Sequence, residues 1–311
     1  MQHPFDAVLL IAFGGPQGRD DIRPFLANVL RGRRVPPERV EEVAHHYELF
    51  DGISPLTAFT ERQAAGLRER LAASGSPLPV YVGMRNWHPY LKDTLEQMAR
   101  DGVRRAIGVI AAAHRSYSSC LQYKENVRDA ASPVEITYTG DWHTHDGFVR
   151  ANVEHIHAAL AQLPDGVRED AEIVFTAHSI PVSMAEQYPY EQQVRETAAA
   201  VAAGVGRTSV VVFQSRSGRP EDPWLGPDVC DYLRRTPAKA VVLSPIGFVC
   251  DHVEVLYDLD VEAAQVCREI GLPMARAAAV NDHPAFIETL ASAALAVERA
   301  HRRGRPLQVT K

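Results

Sequence analysis

Short runs of aliphatic and β-branched residues alternate along the chain with longer stretches whose apolar residues recur at helical spacing. Strands that are apolar on both faces and separated by helices are typical of parallel sheets covered by helices. The pattern therefore predicts an α/β protein. We expect strands at 7–13, 79–83, 106–113, 134–138, 172–177, 208–214, 240–244 and 273–277, and helices at 57–73, 90–101, 147–162, 191–203 and 252–270.

The strands fall into two groups, which predict two domains in a chain of 311 residues. We assign 1–113, completed by a C-terminal helix at 283–303, to the first domain and 114–282 to the second. Functional residues of open α/β sheets collect beyond the carboxyl ends of the strands. Polar or aromatic residues follow the strands here, so we expect a cleft between two facing sheets.

Charge and composition exclude some classes of function. The net charge of −6 argues against a general nucleic-acid binder. No apolar run approaches the roughly 20 residues that span a bilayer, and the first residues do not resemble a signal peptide. We expect a cytoplasmic protein without a transmembrane segment and leave peripheral membrane contact open. The cysteines are far apart, which favours reduced thiols: Cys120, Cys230, Cys250 and Cys267.

A row of carboxylates is the strongest chemical signal. On a helix, Glu254, Asp258 and Glu262 share one face, and Asp251 extends the row. Like charges repel, so the row costs stability unless cations relieve it. Oxygen ligands in such a row suit a divalent cation that binds and moves on. A solvated acidic face is the alternative.

Other candidate residues lie in loops at the strand ends. His178 ends a strand and is a candidate base or metal ligand, or alternatively a capping or core histidine. Aromatic and basic residues together suit a large flat ligand with carboxylates at its rim, although singly they fit core aromatics and a solvated basic loop. These are Phe13, Trp87, Tyr123, Trp224 and Phe248, with the cluster Arg31, Arg33 and Arg34. Dinucleotide, P-loop, GxSxG and HExxH motifs are missing from the sequence.

Several segments, in this order, resemble the ferrochelatase family over nearly the whole chain. They are LLIAFGGP (9–16), HYELFDGISPL (46–56), GMRNWHP (83–89), TAHSIP (176–181), QSRSG (214–218), PWLGPD (223–228) and PIGFVCDHVEVLYDLD (245–260). The resemblance implies a chelatase fold of two similar Rossmann-like domains with a porphyrin cleft. It implies an enzyme of haem biosynthesis that exchanges two pyrrole protons for Fe²⁺, with ferrous iron and porphyrin as its substrates.

The resemblance also implies roles for individual residues. His178 and Glu254 match the catalytic metal-site pair, and Asp258 and Glu262 match carboxylates that bind or guide the metal. Ser54 and Tyr123 match porphyrin contacts. Further porphyrin contacts are expected at Phe13, Arg31, His46, Tyr47, Trp87 and Trp224.

The chain departs from some members of the family. It has Phe13 where some carry a tyrosine, and no cysteine follows Cys267, so we expect no iron–sulfur cluster and no other permanent cofactor. The resemblance implies a compact bacterial form that is monomeric. The segments FTAHSIP, QSRSG and GMRNWHP are most similar to the branch that uses coproporphyrin III, whose four propionates the Arg31–Arg34 cluster could help to bind.

Three alternatives stay open at this stage. The porphyrin could be protoporphyrin IX rather than coproporphyrin III. A related chelatase could insert cobalt or nickel into a sirohydrochlorin-type ring, although such enzymes usually place two histidines at the metal. A tetrapyrrole carrier without enzymatic activity would need the aromatic residues but not the carboxylate row.

Overall fold

The computed structural model describes residues 3–32, 35–217, 222–304 and 309–310. The chain divides into two compact units. The first comprises Met1–Ala112, Cys120–Asp141 and Ile287–Lys311, and the second comprises Ala113–Ser119 and Trp142–Phe286. Over the described ranges, none of the helices combines the length and apolarity needed to cross a membrane.

The first unit is built on a sheet with the strand order β2-β1-β3-β4-β9. The first four strands are parallel, and β9 pairs with β4 in the antiparallel direction. Every residue of the central strand β1 is buried, which accounts for its unbroken apolar sequence. The strands are β1 (Ala7–Ala12), β2 (Val80–Met84), β3 (Arg105–Ile110), β4 (Glu135–Tyr138) and β9 (Val309–Thr310).

The second unit contains a four-stranded parallel sheet with the order β6-β5-β7-β8. The central strand β5 carries the buried run Ile173–Ala177, and its last residue is His178. The strands are β5 (Glu172–His178), β6 (Ser209–Gln214), β7 (Val241–Ser244) and β8 (Met274–Arg276). The predicted α/β class with parallel sheets is confirmed.

Helices cover both sheets, as the alternating pattern predicts. In the first unit, Leu91, Leu95 and Met98 form the buried stripe of α4 against the sheet. The helices are α1 (Ile22–Val29), α2 (Pro37–Glu48), α3 (Leu56–Ala73), α4 (Leu91–Arg100), α5 (Gln122–Asp129), α6 (Asp146–Leu160), α7 (Asp165–Arg168), α8 (Val182–Ala185), α9 (Tyr190–Val205), α10 (Val229–Leu233), α11 (Val253–Val255), α12 (Ala264–Ile270) and α13 (Pro284–Arg302). A 3₁₀ turn spans Arg19–Asp21, and π-helices span Tyr117–Leu121 and Leu256–Ala263.

The strand β4 belongs to the first sheet, although the sequence analysis placed 134–138 in the second domain. It pairs in parallel with β3, with Ala106 opposite Ile136. Gly108 makes this pairing close, because a Cβ atom there would lie 2.6 Å from Ile136 Cγ2. The chain enters the second unit for residues 113–119 and returns before β4. A hydrophobic pattern identifies a strand, but it does not show with which other strand it pairs.

The helix expected at 252–270 forms, but it is not a uniform α-helix. It consists of α11, the π-helix Leu256–Ala263 and α12 in direct succession. π-Helices are rare and often occur at functional sites, and this one contains two of the carboxylates in the predicted row.

Candidate functional site

His178 is positioned by the central strand of the second sheet, at its carboxyl end. The Nδ1 atom lies 2.6 Å from the carbonyl oxygen of Ser179. A carbonyl oxygen can only accept a hydrogen bond, so Nδ1 carries the proton in this geometry. The Nε2 atom therefore presents a lone pair, which can take up a proton or bind a metal ion.

Hydrogen bonds on three sides hold the His178 loop in place. The buried Tyr190 hydroxyl donates to the His178 carbonyl oxygen over 3.0 Å. The Ser179 N–H donates to the carbonyl of Gln214 on the neighbouring strand at 2.7 Å. The Ser179 hydroxyl donates to the Leu225 carbonyl at 2.7 Å. The sequence indicated the histidine, but it gave no sign of Tyr190.

The loop after β7 packs directly against β5 beside His178. The Gly247 N–H donates to the Thr176 carbonyl at 3.0 Å. A Cβ atom on Gly247 would lie 2.6 Å from both Cα and Cβ of Ala177, so only glycine permits this approach. The glycine of the GFVCDHVE segment thus brings the chain leading to Glu254 close to the TAHSIP strand.

His252 connects these two segments electrostatically. Burial lowers the pKa of His252, and the charges of Glu254 and Asp251 raise it, while a charge on His178 lowers it. The ring also packs edge-on against Phe248, with 4.9 Å between centroids. His178 and Glu254 therefore each lie within electrostatic reach of His252. The sequence analysis missed His252, although it stands two residues before Glu254 in the quoted segment.

Three carboxylates of the predicted row, Glu254 in α11 and Asp258 and Glu262 in the π-helix, interact electrostatically. Burial raises the pKa of Asp258 to about 7, and the charges of Glu254 and Glu262 act in the same direction. Hydrogen bonds from the Ser215 hydroxyl and from Gln214 Nε2, the latter at 3.0 Å from Oδ2, oppose that rise. Asp258 thus changes its charge near neutral pH, and Glu262 is exposed at the outer end of the row.

Asp251 does not extend this row, contrary to the sequence analysis. It is 6% exposed and accepts a hydrogen bond from Arg276 Nη1 at 2.8 Å. Its carboxylate also accepts from Asn281 Nδ2 at 2.8 Å. A buried carboxylate needs such partners, so Asp251 pairs with protein groups and is not free to bind a cation.

A cavity of about 380 Å³ opens beside the outer part of the row, and we call it the acidic cavity. Burial raises the pKa of Cys230 at its wall to about 12, and the nearby carboxylates, first Asp228, act in the same direction. The thiol therefore stays protonated at neutral pH. The walls are formed by Gln214, Ser215, Asp228, Val229, Cys230, Arg234, Asp258, Glu262, Gln265, Val266 and Glu269.

The acidic residues do not form a closed metal site. Across the ranges that the structure describes, no three His, Cys, Asp or Glu side chains come close enough together to hold a metal ion. His178, Glu254, Asp258 and Glu262 are therefore a loose series of donors, which is compatible with a metal that is a substrate.

In the first unit, Phe13, Tyr47 and Trp87 surround Phe25 to form what we call the aromatic cluster. Their ring centroids lie 6.2, 5.5 and 6.3 Å from that of Phe25, all in edge-to-face geometry. Gly14, at φ 86°, lets the chain turn under Trp87, whose N atom would be 2.9 Å from a Cβ there. The sequence analysis did not identify Phe25, which is 1% exposed.

Ser54 and Tyr123 are more deeply buried than a typical ligand contact. A Cβ atom on Gly15 would lie 2.6 Å from Ser54 Cβ, so the glycine turn covers this serine. The Tyr123 ring has the Arg85 guanidinium 5.8 Å from its centroid, and burial raises the pKa of its hydroxyl. Both residues belong to the first unit.

The remaining predicted porphyrin contacts are dispersed. His46 is half-buried on α2, and Arg31 is exposed beyond α1, where its Nη2 donates to Asn28 Oδ1 at 2.7 Å. Trp224 is half-buried in the second unit, in a bridge with Pro181, and its indole N–H has no partner within the described parts of the chain. Arg33 and Arg34 lie outside the described residues.

The sequence matches the ferrochelatase family over residues 5–297. The chain belongs to the ferrochelatase family. It is 45% identical to the ferrochelatase of Rhodopirellula baltica, over 92% of this chain and 84% of that protein. It is 43% identical to the coproporphyrin III ferrochelatase of Streptomyces griseus, over 98% of this chain and 88% of that protein. The predicted family and enzyme class, a ferrochelatase of haem biosynthesis, are confirmed.

The fold is also similar to that of a solved chelatase. SirB from Bacillus subtilis, solved with Fe³⁺, superposes with a TM-score of 0.59 over 96% of this chain and 97% of its own. The two sequences are 13% identical, so this similarity shows the fold alone. The predicted chelatase fold is confirmed.

Proposed function

We propose that this ferrochelatase inserts Fe²⁺ into coproporphyrin III and that His178 and Glu254 carry the reaction. The observation that supports the site most directly is the fixed tautomer of His178, whose Nδ1 donates to the Ser179 carbonyl at 2.6 Å and leaves Nε2 free. The preference for coproporphyrin III rests on relatives with that name, among them the Streptomyces griseus protein.

Insertion of the metal removes two pyrrole protons, so the site needs a proton acceptor and a ligand that releases the metal. The Nε2 atom of His178 and the carboxylate of Glu254 can each do both. We propose that this pair divides the two tasks. His252 lies within electrostatic reach of both residues, and because burial lowers its pKa, it adds no positive charge that would repel the incoming cation at neutral pH.

The acidic cavity supports a route by which the metal reaches this pair. Asp258 and Glu262 line the cavity, Glu262 is exposed, and the charge of Glu254 acts on Asp258. Hard carboxylate oxygens bind a divalent cation without holding it as tightly as a complete ligand shell does. We propose that Fe²⁺ passes from Glu262 and Asp258 to Glu254 and His178.

The porphyrin contacts are proposed from the family resemblance and from the clustering of aromatic rings. Edges of the aromatic cluster offer apolar surface for a macrocycle, and the exposed Arg31 offers a partner for a propionate. The same proposal includes His46, Ser54, Tyr123 and Trp224. Within the parts of the chain that the structure describes, the indole N–H of Trp224 has no acceptor, and a bound ligand could provide one.

Anaerobic assays with purified protein test the substrate. The protein is mixed with Fe²⁺ and either coproporphyrin III or protoporphyrin IX, and loss of free porphyrin is followed by absorbance and fluorescence. We expect catalytic loss of coproporphyrin III with little turnover of protoporphyrin IX. Turnover of protoporphyrin IX alone would reverse the substrate assignment. Binding without insertion would favour a carrier, and a preference for cobalt with sirohydrochlorin would favour a related chelatase of the sirohydrochlorin type.

The remaining features of the proposal concern the state of the protein. Fe²⁺ is a substrate, and the expectation of no iron–sulfur cluster and no other permanent cofactor is checked by iron and sulfide analysis of the purified chain. A monomer in the cytoplasm is proposed, with peripheral membrane contact left to test. Sedimentation and vesicle co-flotation measure the oligomeric state and the membrane contact.

A further inference from the structure

Arg276, the last residue of β8, contacts carboxylates on both sides of Glu254. Its Nη1 donates to Asp251 Oδ1 at 2.8 Å, and its Nε donates to Asp260 Oδ1 at 2.7 Å. Asp251 precedes Glu254 by three residues, and Asp260 follows it by six residues in the π-helix. One guanidinium therefore ties both flanks of the segment that carries Glu254 and Asp258 to the edge strand of the second sheet.

The Asp251 end of this connection is rigid. The carboxylate accepts from Asn281 Nδ2 at 2.8 Å and from the Ala279 N–H at 3.3 Å, and the Asp251 N–H donates back to Asn281 Oδ1 at 2.8 Å. The side chains of Arg276 and Asp251 are 17% and 9% exposed. An ion pair this well buried and fully hydrogen-bonded holds a fixed geometry.

The Asp260 end is attached to an element that is easily rearranged. A π-helix makes i→i+5 hydrogen bonds and is rare compared with the α-helix. Conversion of one such turn to an α-helix would replace i→i+5 by i→i+4 hydrogen bonds and shift the helical register by one residue. Because one residue of an α-helix corresponds to about 100°, the residues beyond the turn would rotate by about that angle. Such a rotation would change the positions of Asp258 and Glu262 relative to Glu254. An ion pair made to Asp260 from outside the helix opposes that change.

We propose that Arg276 is a positioning residue that fixes the π-helical register, and thereby the alignment of Glu254 with Asp258, through its simultaneous bonds to Asp251 and Asp260. The inference rests on the proposed function for its catalytic consequence. Its structural part, that the Asp260 bond holds the π-helix, is independent of the substrate.

Asp260→Asn tests the proposal, because it weakens one bond of Arg276 and leaves the buried Asp251 pair intact. Asp170→Asn is the matched control, since it removes a similar surface ion pair, Lys239 Nζ to Asp170 Oδ2 at 2.7 Å, before the start of β5. We expect kcat for metal insertion to fall about tenfold or more in Asp260→Asn, because a misplacement of about 1 Å can cost about 100-fold in rate. The KM for porphyrin and the thermal midpoint should match those of the control.

Hydrogen exchange gives a readout that needs no activity. Amides within 253–263 should exchange faster in Asp260→Asn than in wild type, and those of Asp170→Asn should not change. Equal exchange and equal kinetics in the two variants would overturn the proposal. A loss of activity accompanied by a matching loss of porphyrin binding and of thermal stability would also overturn it, because a structural brace produces that result.

Arg276→Lys tests whether the simultaneous hydrogen bonds to Asp251 and Asp260 are needed, or whether a positive charge at this position is enough. Lysine keeps a positive charge beside Asp251, but one ammonium group cannot reproduce the fork that donates to both carboxylates. We expect the kcat of Arg276→Lys to be as low as that of Asp260→Asn, and a wild-type kcat would refute the arrangement. Failure of the wild-type chain to insert iron would refute the proposed function, while the exchange comparison would still decide the positioning role.

Discussion

The contact between Gly247 and β5 allows a mutation whose effect can be worked out from the structure. A Cβ atom added by Gly247→Ala would lie 2.6 Å from Cα and Cβ of Ala177. Carbon atoms pack at about 3.5–4.0 Å, so the loop would have to move away from β5 by roughly 1 Å. Both clashing atoms belong to a central strand, so the loop and not the strand is expected to yield.

That displacement would act on catalysis because the loop leads directly to His252 and Glu254. A misplacement of about 1 Å can cost on the order of 100-fold in rate. The cost in stability should be smaller, about 1–3 kcal/mol, as for other additions to a packed site. We therefore expect Gly247→Ala to remain folded and bind porphyrin while its kcat for insertion falls by about two orders of magnitude.

The assay compares initial rates of iron or zinc insertion, porphyrin binding and the free energy of unfolding in urea. Gly166→Ala is the control, because it adds the same methyl group in the second unit where nothing lies within 4 Å. Full insertion activity in Gly247→Ala would refute the idea that this contact sets the position of Glu254. Unfolding of Gly247→Ala but not of Gly166→Ala would show instead that the stability cost has been underestimated.

Four further substitutions test the site. His178→Ala and Glu254→Gln should each abolish metal insertion but still bind porphyrin, as measured by quenching of the porphyrin fluorescence or a shift of its absorbance. Full turnover by either variant would contradict the catalytic assignment. Burial raises the pKa of Asp258 from 3.8 to about 7, so the folded protein binds this proton more tightly than the unfolded chain does. The stabilisation that comes from the protonated Asp258 is therefore lost as the pH rises from about 4 to 7. Asp258→Asn should therefore become more stable relative to wild type over that range in urea titrations, and a constant difference would refute the shifted pKa. Phe25→Ala should cost about 3–5 kcal/mol of unfolding free energy and weaken porphyrin binding, whereas an unchanged affinity would separate the aromatic cluster from the porphyrin.

The strand and helix pattern could be predicted from the sequence because nearly every element is amphipathic or fully buried. Where the predicted domain of a strand differs from the structure, the strand's place is set by pairing with residues far away in the sequence. The residues of β4, Glu135–Tyr138, alternate between polar and apolar side chains, and the strand pairs in parallel with β3, where Ile136 closely approaches Gly108. Nothing in a hydrophobic pattern encodes that pairing, because it depends on the space left by a glycine about thirty residues earlier.

The site residues with chemically distinctive side chains were easier to identify than those that hold them. Phe25 supports the aromatic cluster, and Tyr190 supports His178 by a bond to its backbone, which no motif of catalytic side chains includes. Asp251 was wrongly assigned to the carboxylate row because its side chain is chemically suitable. It continues the acidic spacing of the row, but Arg276 and Asn281 approach it from the end of β8 and beyond, and spacing along one helix cannot reveal partners from another element.

A loose acidic row suits a metal that must be handed on better than a strong site would. A complete shell of ligands would stabilise the bound cation by many kcal/mol and slow its release. Here the described residues provide no such shell, and the middle carboxylate, Asp258, has a pKa of about 7. When the metal leaves, Asp258 can take up a proton in its place, which avoids leaving an unpaired buried charge. We therefore expect Asp258→Asn to lower kcat at saturating Fe²⁺ less than it raises the KM for Fe²⁺. A loss confined to kcat would indicate instead that Asp258 acts in the insertion step itself.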